Sequence, residues 1–266
     1  MITYRATLDV PEQTAVTVSR WLHDHRRRVD TRPWQRAATP WAQAILVLRW
    51  FKDATDLRLL ARDAKISVAT AYRYLHEAIE VIAQQAPELP DVLTEGLRQG
   101  WAFVCLDGTL IPATRSAARS EAGHDIWYSG KYKRHGGNIQ VLTGPTGYPE
   151  WVSDVEPGST HDITAARAHA LPALYPAAAH GLPTLTDKGY QGAGIGIKVP
   201  TKGRNLAPDN RARNVLISAL RAPAERANAL LKRTWKALER VTLDPWEIGP
   251  ITAAAFVLLH LQKPTR

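Results

Sequence analysis

The sequence predicts an α/β domain preceded by a small all-helical domain. Three patterns lead to this fold class. The apolar run Ala102 to Leu106 contains Phe, Val and Cys, and a run of this length is typical of a strand buried on both faces. Strand and helix patterns alternate after this run. Before it, apolar side chains recur at helical spacing, so we expect a helical domain over 1–97 and the α/β domain over 98–266.

The composition limits the classes of protein to consider. The 34 Lys and Arg outnumber the 25 Asp and Glu, and the net charge of +9 favours a polyanionic partner, with nucleic acid first and a merely basic protein as the alternative. Cys105 is the only cysteine, which excludes a disulfide framework and a Cys-based zinc site. No apolar segment reaches the roughly 18 residues of a membrane span, and no signal peptide is apparent. We therefore expect a cytoplasmic protein that does not bind membranes.

The helical domain contains a candidate DNA-binding motif. Helices are predicted over 11–25 and 40–52, and the cluster Arg26 to Arg28 after the first is either a solvated face or a phosphate contact. Residues 56–78 then fit a helix-turn-helix, in which the N-terminal residues of the second helix face base edges. These residues are Val68, Thr70 and Arg73, with the N-cap Ser67 near the DNA backbone. A plain helical hairpin is the alternative, and the Pro-rich segment 86–98 is predicted to be a linker.

The elements of the α/β domain follow in a recognisable order. The first strand ends at Asp107, a hairpin spans 138–155, and a helix runs to Ala170 with Ser159 and Asp162 as a capping box. The remaining predicted elements are a fourth strand over 182–186, a fifth strand over 195–199 and a helix over 223–240. This order is similar to that of the ribonuclease-H-like fold.

Three carboxylates can converge in such an arrangement. Asp107 and Asp187 each end a strand, and Glu225 stands in the first turn of the late helix. An Asp-Gly pair after a strand is more often a turn than a site, but neighbouring strands place their ends side by side. Three carboxylates at one edge can hold two divalent cations, such as Mg²⁺ or Mn²⁺, which cleave a phosphodiester between them. The alternative for the helix is a surface helix with charged residues on its exposed side.

Further residues are candidates for secondary roles. Arg221 lies four residues before Glu225 and Lys232 seven residues after it (225 − 221 = 4, 232 − 225 = 7), so Lys232 shares the face of Glu225 and would point toward the DNA backbone. His161 and Asp162 either cap a helix or lie beside the metals. The basic loop with Lys131, Lys133 and Arg134 interleaves an aromatic residue, which suits backbone contacts or stacking on unpaired bases, although a solvated loop is the alternative.

These motifs together resemble the DDE transposases of bacterial insertion sequences, specifically the insertion-sequence-five group, which is similar to eukaryotic Harbinger elements. The resemblance covers nearly the whole chain and is carried by ISVATAYRYLHEAI, LDGTLI, YSGKYKRHGGNIQVL, PGSTHDITAAR, TDKGY and the spacing of Arg221, Glu225 and Lys232. It implies that Asp107, Asp187 and Glu225 are the metal-binding triad. Ser218 stands where the wider group carries a tyrosine, a departure that bears only on an auxiliary phosphate contact.

The resemblance also implies a function and partners. The protein is expected to bind terminal inverted repeats and target DNA, both double-stranded, as a homodimer or higher oligomer, and to associate with the bacterial nucleoid. Two other functions remain open. One is a DNA-binding regulator whose catalytic domain has lost its chemistry, and the other is a structure-specific nuclease that does not join strands. Short inverted repeats flanking the gene would distinguish the transposase from the regulator.

Overall fold

The computed structural model describes residues 7–262. Its helices, in chain order, are α1 (Glu12–Arg28), α2 (Pro40–Asp53), α3 (Leu57–Asp63), α4 (Val68–Ala83), α5 (Leu89–Arg98), α6 (Asp162–His169), α7 (Leu171–Ala179), α8 (Pro208–Thr234) and α9 (Ile248–Leu261). Its strands are β1 (Val104–Pro112), β2 (Tyr128–Ser129), β3 (Arg134–Thr143), β4 (Pro149–Val152), β5 (Glu156–Pro157), β6 (Thr184–Leu185) and β7 (Ile197–Lys198). None of the helices in this part of the chain is long and apolar enough to cross a membrane.

The described chain forms two compact units. The helical unit comprises the residues up to Ala86, Lys232–Glu239 and the residues from Pro250 on. The sheet unit comprises Pro87–Leu231 and Arg240–Gly249. The segment predicted as a linker, 86–98, contains α5, which belongs to the sheet unit and buries Leu89 and Leu93 in its core. The linker prediction was wrong because Pro90 occupies the first turn of a helix, where the missing N–H of proline is not needed.

The helical unit confirms the two predicted N-terminal helices as α1 and α2. Helix α1 continues through the arginine cluster, and Arg26 is buried. Its guanidinium donates hydrogen bonds to the carbonyl of Ala38 (2.9 Å) and to Oε1 of Gln43 (2.6 Å), and burial lowers its pKa. Arg26 is therefore a core residue of this unit, an outcome that neither interpretation of the cluster anticipated.

Helices α3 and α4 occupy the residues of the candidate helix-turn-helix. Ser67 caps α4 as predicted, because its side chain accepts a hydrogen bond from the backbone N–H of Thr70 at 3.1 Å. Lys65 in the turn adopts a positive φ of 54°. Val68 and Arg73 are exposed on the first turns of α4, whereas Ala71, Leu75 and Ile79 are buried. The N-terminal end of α4 thus presents a surface face.

The sheet unit is built on a mixed sheet with the strand order β2-β3-β1-β6-β7. Strand β1 pairs antiparallel with β3 over eight residue pairs, from Cys105 with Thr143 to Pro112 with Gly136. It pairs in parallel with β6 only at Val104 and Cys105, and β6 pairs in parallel with β7. The predicted hairpin is confirmed as β3 and β4. The predicted fourth and fifth strands are confirmed as the shorter β6 and β7.

The sheet is covered on both faces by apolar side chains. Leu106 and Leu142 belong to a core that includes Leu171 and Leu174 of α7. Cys105 and Leu185, on the other face, pack with Ala224 of α8. The prediction of a first strand buried on both faces is therefore correct, and helix α8 covers one of those faces.

Several predicted element boundaries in the α/β region are wrong, including the end of the late helix, which is Thr234 and not Arg240. Strand β1 does not end at Asp107 but continues for five more residues (112 − 107 = 5). The late helix begins at Pro208, 15 residues before Pro223 (223 − 208 = 15), so Glu225 lies inside the helix and not in its first turn. The segment predicted as a basic loop, 131–137, is partly strand, because β3 begins at Arg134. The C-terminal helix α9 was not predicted.

Candidate active site

Asp107 and Asp187 lie at the same level of two neighbouring parallel strands. Each residue follows the pair Cys105–Leu185 by two positions (107 − 105 = 2, 187 − 185 = 2). Strand β6 has already ended there, and the Asp187 carboxylate accepts a hydrogen bond from the N–H of Gly189 at 2.7 Å as it caps a 3₁₀ turn. The negative charge of Asp187 contributes to raising the pKa of Asp107. The two carboxylates therefore interact just beyond the end of the parallel pairing between β1 and β6.

The surroundings of the Asp107 carboxyl group disfavour its ionised form. Its pKa is raised to about 6, chiefly by burial and also by the negative charges of Asp187 and Asp162, against the opposing positive charge of Arg221. Nη2 of Arg221 lies 3.6 Å from one carboxylate oxygen, and Nδ2 of Asn228 donates a hydrogen bond to the other at 2.9 Å. Arg221 and Asn228 are seven residues apart, about two helical turns, so α8 presents both from one face.

Glu225 is exposed on α8 between Arg221 and Asn228. Among residues 7–262, no group of three or more His, Cys, Asp or Glu side chains is placed to hold a metal ion. The structure therefore brings Asp107 and Asp187 together and places α8 against them, but it does not bring the Glu225 carboxylate into the same group.

Asp162 lies on the opposite side of β1 from the Asp107 carboxylate. Successive residues of a strand point to opposite faces, and a Cβ added to Gly108 would collide with the Asp162 carboxylate. Asp162 accepts hydrogen bonds from Nζ of Lys131 and from Nδ2 of Asn138, each at 2.8 Å. The predicted capping box is wrong, because His161 is the residue before α6 and Asp162 bonds to side chains of the sheet instead.

A buried chain of hydrogen bonds supports Asn138. Nε2 of Gln140 donates to the side-chain oxygen of Asn138 at 3.1 Å, and the Tyr190 hydroxyl donates to Oε1 of Gln140 at 2.6 Å. Burial raises the pKa of Tyr190 well above its usual value, so its hydroxyl remains a donor. The chain fixes the Asn138 amide with its N–H toward Asp162.

The contact between Gly108 and Asp162 leads to a stability prediction. Gly108→Ala should lower the free energy of unfolding by about 1–3 kcal/mol, because the new methyl group displaces Asp162 or Gln140 from the hydrogen-bonded chain. Gly130→Ala is the matched control, since a Cβ there would meet nothing within 4 Å and its φ is not positive. Urea denaturation of both variants measures the difference. Equal stability of the two would show that Asp162 is not held as described.

The other predicted site residues occupy different places. His161 is exposed before α6, Lys133 is exposed in the turn between β2 and β3 with a φ of 51°, and Arg134 is exposed at the start of β3. Lys232 is near the end of α8, in the segment that belongs to the helical unit. The residues predicted to read DNA, Ser67, Val68, Thr70 and Arg73, belong to the helical unit.

Sequence reasoning missed four polar residues of the site. Asn138 and Gln140 alternate along an otherwise apolar strand, and two amides on one face of a buried strand are a signal that could have been used. Asn228 is at helical spacing from Arg221. Tyr190 is fully buried three residues after Asp187. Whether Asn138, Gln140 and Asn228 reach the site depends on which strand and helix faces pack together. The sequence spacing alone does not reveal that packing.

A cleft of about 530 Å³ borders the Asp187 side of the site. Residues that line it include Asp187, Lys188, Ser218 and Arg221. The carboxylates Asp107 and Asp187 supply oxygen ligands of the kind that Mg²⁺ and Mn²⁺ prefer. The raised pKa of Asp107 and the buried Oδ1 of Asn228, which has no hydrogen-bond partner within the described residues, both fit a site that gains from a cation.

The comparisons with known proteins identified a family. The profile of a family described as DDE superfamily endonuclease matches residues 106–260, which is more than half of the chain. The matched region includes Asp107, Asp162, Asp187 and α8. Neither the curated proteins nor the solved structures gave a match.

Proposed function

The chain belongs to the DDE superfamily endonucleases, transposase-like nucleases whose substrate is DNA, and we propose that it is an insertion-sequence transposase of the insertion-sequence-five group. In this proposal it binds terminal inverted repeats, hydrolyses phosphodiesters at their ends and transfers the freed strands to target DNA. The observation that carries the proposal is the placement of Asp107 and Asp187 at one level of the parallel strands with α8 against them.

We propose that Asp107, Asp187 and Glu225 hold divalent cations, two Mg²⁺ or Mn²⁺ ions, since enzymes of this family generally use divalent metals. Such ions, when bound, would activate the attacking water and stabilise the leaving oxygen. Asn228 fixes the orientation of the Asp107 carboxylate through its hydrogen bond, and Arg221 offsets part of the negative charge. Glu225 lies on the same helix between these two residues, so a rotation of its side chain is the movement that would add a third carboxylate.

Lys131, Lys188 and Lys232 are proposed to contact DNA phosphates. Lys131 and Lys188 are exposed in the sheet unit, and Lys188 follows Asp187 directly and lines the adjacent cleft. Together with the net charge of +9, exposed lysines beside a site for phosphodiesters favour binding of the DNA backbone. Lys133 and Arg134 extend this basic surface along the turn between β2 and β3.

The proposal extends to the fold and the assembly. We propose that 98–266 is a ribonuclease-H-like catalytic domain, which the strand order β2-β3-β1-β6-β7 and the mixed pairing of β1 support. Residues 1–97 are proposed as the DNA-binding domain. Because two ends of an element must be held together for joining, we propose a homodimer or higher oligomer on DNA, at the bacterial nucleoid.

Arg73 provides a test of the proposed helix-turn-helix. It is exposed on α4, and its guanidinium donates a hydrogen bond to Thr70 Oγ1 at 3.1 Å. If Arg73 reads a base edge, Arg73→Ala should cost about 1–3 kcal/mol on the cognate repeat and much less on unrelated DNA. Arg62→Ala, an exposed arginine on α3, is the control. Gel shifts on both duplexes measure the losses, and equal losses for Arg73→Ala would make it a phosphate contact.

Strand transfer into a target plasmid tests the proposed function against its alternatives. The protein is incubated with a duplex that carries one repeat end, a supercoiled plasmid and Mg²⁺ or Mn²⁺. A transposase is expected to join the cut end to the plasmid, and Ca²⁺ is expected not to support turnover because of its longer and looser coordination. Cutting without joining would favour the structure-specific nuclease. Binding without cutting would favour the regulator.

A further inference from the structure

A second cavity, of about 380 Å³, lies on the side of β1 that faces away from α8. Its walls include Leu110 and Asn138, which are directly paired across β1 and β3. Residues two apart on a strand share a face, so Leu110 lies on the face of Gly108 and not on that of Asp107. The other walls come from the turn between β2 and β3 and from the segment before α6. This cavity is therefore distinct from the cleft beside Asp187.

Tyr128 of β2 and Tyr132 of the turn that follows β2 both line the cavity. Tyr128 is 41% exposed and Tyr132 is 39% exposed, although both are large aromatic side chains within a concave surface. The Tyr128 ring is packed edgewise on His135, with ring centroids 5.3 Å apart. The Tyr132 hydroxyl approaches the carbonyl of Gly108 at 3.5 Å, which links this wall to the strand that carries Asp107. Both rings therefore retain accessible surface, and Tyr132 contacts β1.

The cavity contains a lysine that is ion-paired with Asp162, another lining residue, and that lies beside an aromatic ring. Lys131 Nζ lies 5.0 Å from the centroid of the Tyr132 ring and 2.8 Å from Oδ2 of Asp162, so a cation is placed at the aromatic wall. The lining also includes His161 and the hydroxyl residues Ser129, Ser159 and Thr160. A volume of about 380 Å³ is within the range of small-ligand sites, and aromatic rings beside a cation are the usual means of holding an unpaired base.

We propose that this cavity binds an unpaired nucleotide base of the DNA strand next to the cleaved phosphodiester. The inference rests on the proposed function, because it takes the Asp107 side of β1 as the place of cleavage. A base that leaves the duplex there passes the edge of the sheet and stacks on Tyr128 or Tyr132. Lys131 then lies near the phosphate of the same nucleotide.

The test compares the affinities of tyrosine variants for single-stranded DNA with and without bases. A fluorescent oligonucleotide of about ten nucleotides is titrated by anisotropy with the full-length protein in the presence of a chelator. Tyr128→Ala and Tyr132→Ala are compared with the parent protein, and an oligonucleotide of the same length made of abasic sites replaces the first one in a parallel titration. At least one variant is expected to weaken binding of the normal strand about 5- to 100-fold. Neither variant is expected to weaken binding of the abasic strand, which keeps the phosphates.

Matched variants separate stacking from a loss of structure. Tyr128→Phe and Tyr132→Phe keep the aromatic ring and should bind DNA like the parent. The variants Tyr128→Leu and Tyr132→Leu keep apolar volume but have no stacking face. They should therefore bind DNA like the alanine variants. Tyr175→Ala is the control outside the cavity, since Tyr175 is also 39% exposed and lies on α7. Only variants with the parent's melting temperature are scored. Equal losses on both strands, or no loss on either, would overturn the proposal.

This test is independent of the proposed function. It uses neither a repeat sequence nor a metal ion, so a failure to cleave repeat ends leaves its outcome readable. Conversely, the protein could cleave repeat ends while the tyrosine variants affect binding of normal and abasic strands equally. That result would support the proposed function and contradict the proposed base-binding cavity.

Discussion

Asp107→Asn and Asp187→Asn are each expected to lower cleavage at a repeat end by orders of magnitude while leaving DNA binding intact. Asparagine keeps the size of each side chain and removes the negative charge that would hold a cation. Both residues lie two positions beyond the pair Cys105–Leu185, and we propose that they act in one centre. The double variant should therefore be little worse than either single variant, because groups that act as a unit have non-additive effects.

The stability of Asp107→Asn should change in the opposite direction from its activity. The pKa of Asp107 is raised to about 6 in the folded chain, chiefly by burial, from its ordinary value of 3.8. The ionised carboxylate is thus disfavoured by folding, and the stability that the residue contributes at low pH is lost as the pH rises through about 6. At pH 7 and without added metal, Asp107→Asn should be at least as stable as the parent in urea denaturation.

A matched control separates loss of chemistry from loss of charge in general. Asp154→Asn removes one exposed carboxylate from the same unit, just after β4, and is expected to change neither cleavage nor stability. Cleavage by Asp107→Asn or Asp187→Asn at the level of Asp154→Asn would remove these two residues from the catalytic centre.

Much of the site could be predicted because strand periodicity and chain order are local signals. The apolar run before Asp107 and the strand before Asp187 predicted two buried neighbouring strands, and the parallel pairing of β1 with β6 places both residues at one edge. Ser67 was predicted as an N-cap from the polar residue before an apolar period, and its hydrogen bond to Thr70 confirms it.

The errors arose where a tertiary contact overrides a local preference. Gly108 follows Asp107 and suggested a turn, but it lies inside β1 because the Asp162 carboxylate occupies the space where a Cβ would be. Pro223 suggested a helix start, yet α8 passes through it. Its carbonyl lies against Gly147, a turn glycine with a φ of 75°, so the hairpin turn packs closely on this part of the helix. Neither packing contact is visible in the sequence around the residue.

Asn228 shows the limit of motif spacing. The spacing of Arg221, Glu225 and Lys232 predicted charged partners for the site. In the structure, Asp107 instead accepts a hydrogen bond from the side-chain amide of Asn228. A helix turns 100° per residue, so Glu225 is displaced by only 40° from Arg221 around α8. The carboxylate of Glu225 thus starts close to the face that contacts Asp107, although its side chain is exposed.

Substitution of Glu225 is expected to lower cleavage as much as substitution of either aspartate. Glu225→Gln keeps the size of the side chain and its place on α8 but removes the charge. If Glu225 completes the cation site when DNA is bound, the variant should bind repeat ends normally and cleave them orders of magnitude more slowly. Glu121→Gln, at an exposed glutamate of the same unit, should cleave like the parent.

The most direct measurement is nicking of a labelled duplex with one repeat end, followed on a denaturing gel for the parent, Glu225→Gln and Glu121→Gln. Binding of the same duplex is measured in parallel by gel shift. Nicking by the parent is expected to require Mg²⁺ or Mn²⁺ and to stop in excess chelator, and Glu225→Gln is expected to bind the duplex without nicking it. Nicking that persists in Glu225→Gln would exclude Glu225 from the cation site, and nicking that proceeds unchanged in chelator would exclude metal-dependent cleavage.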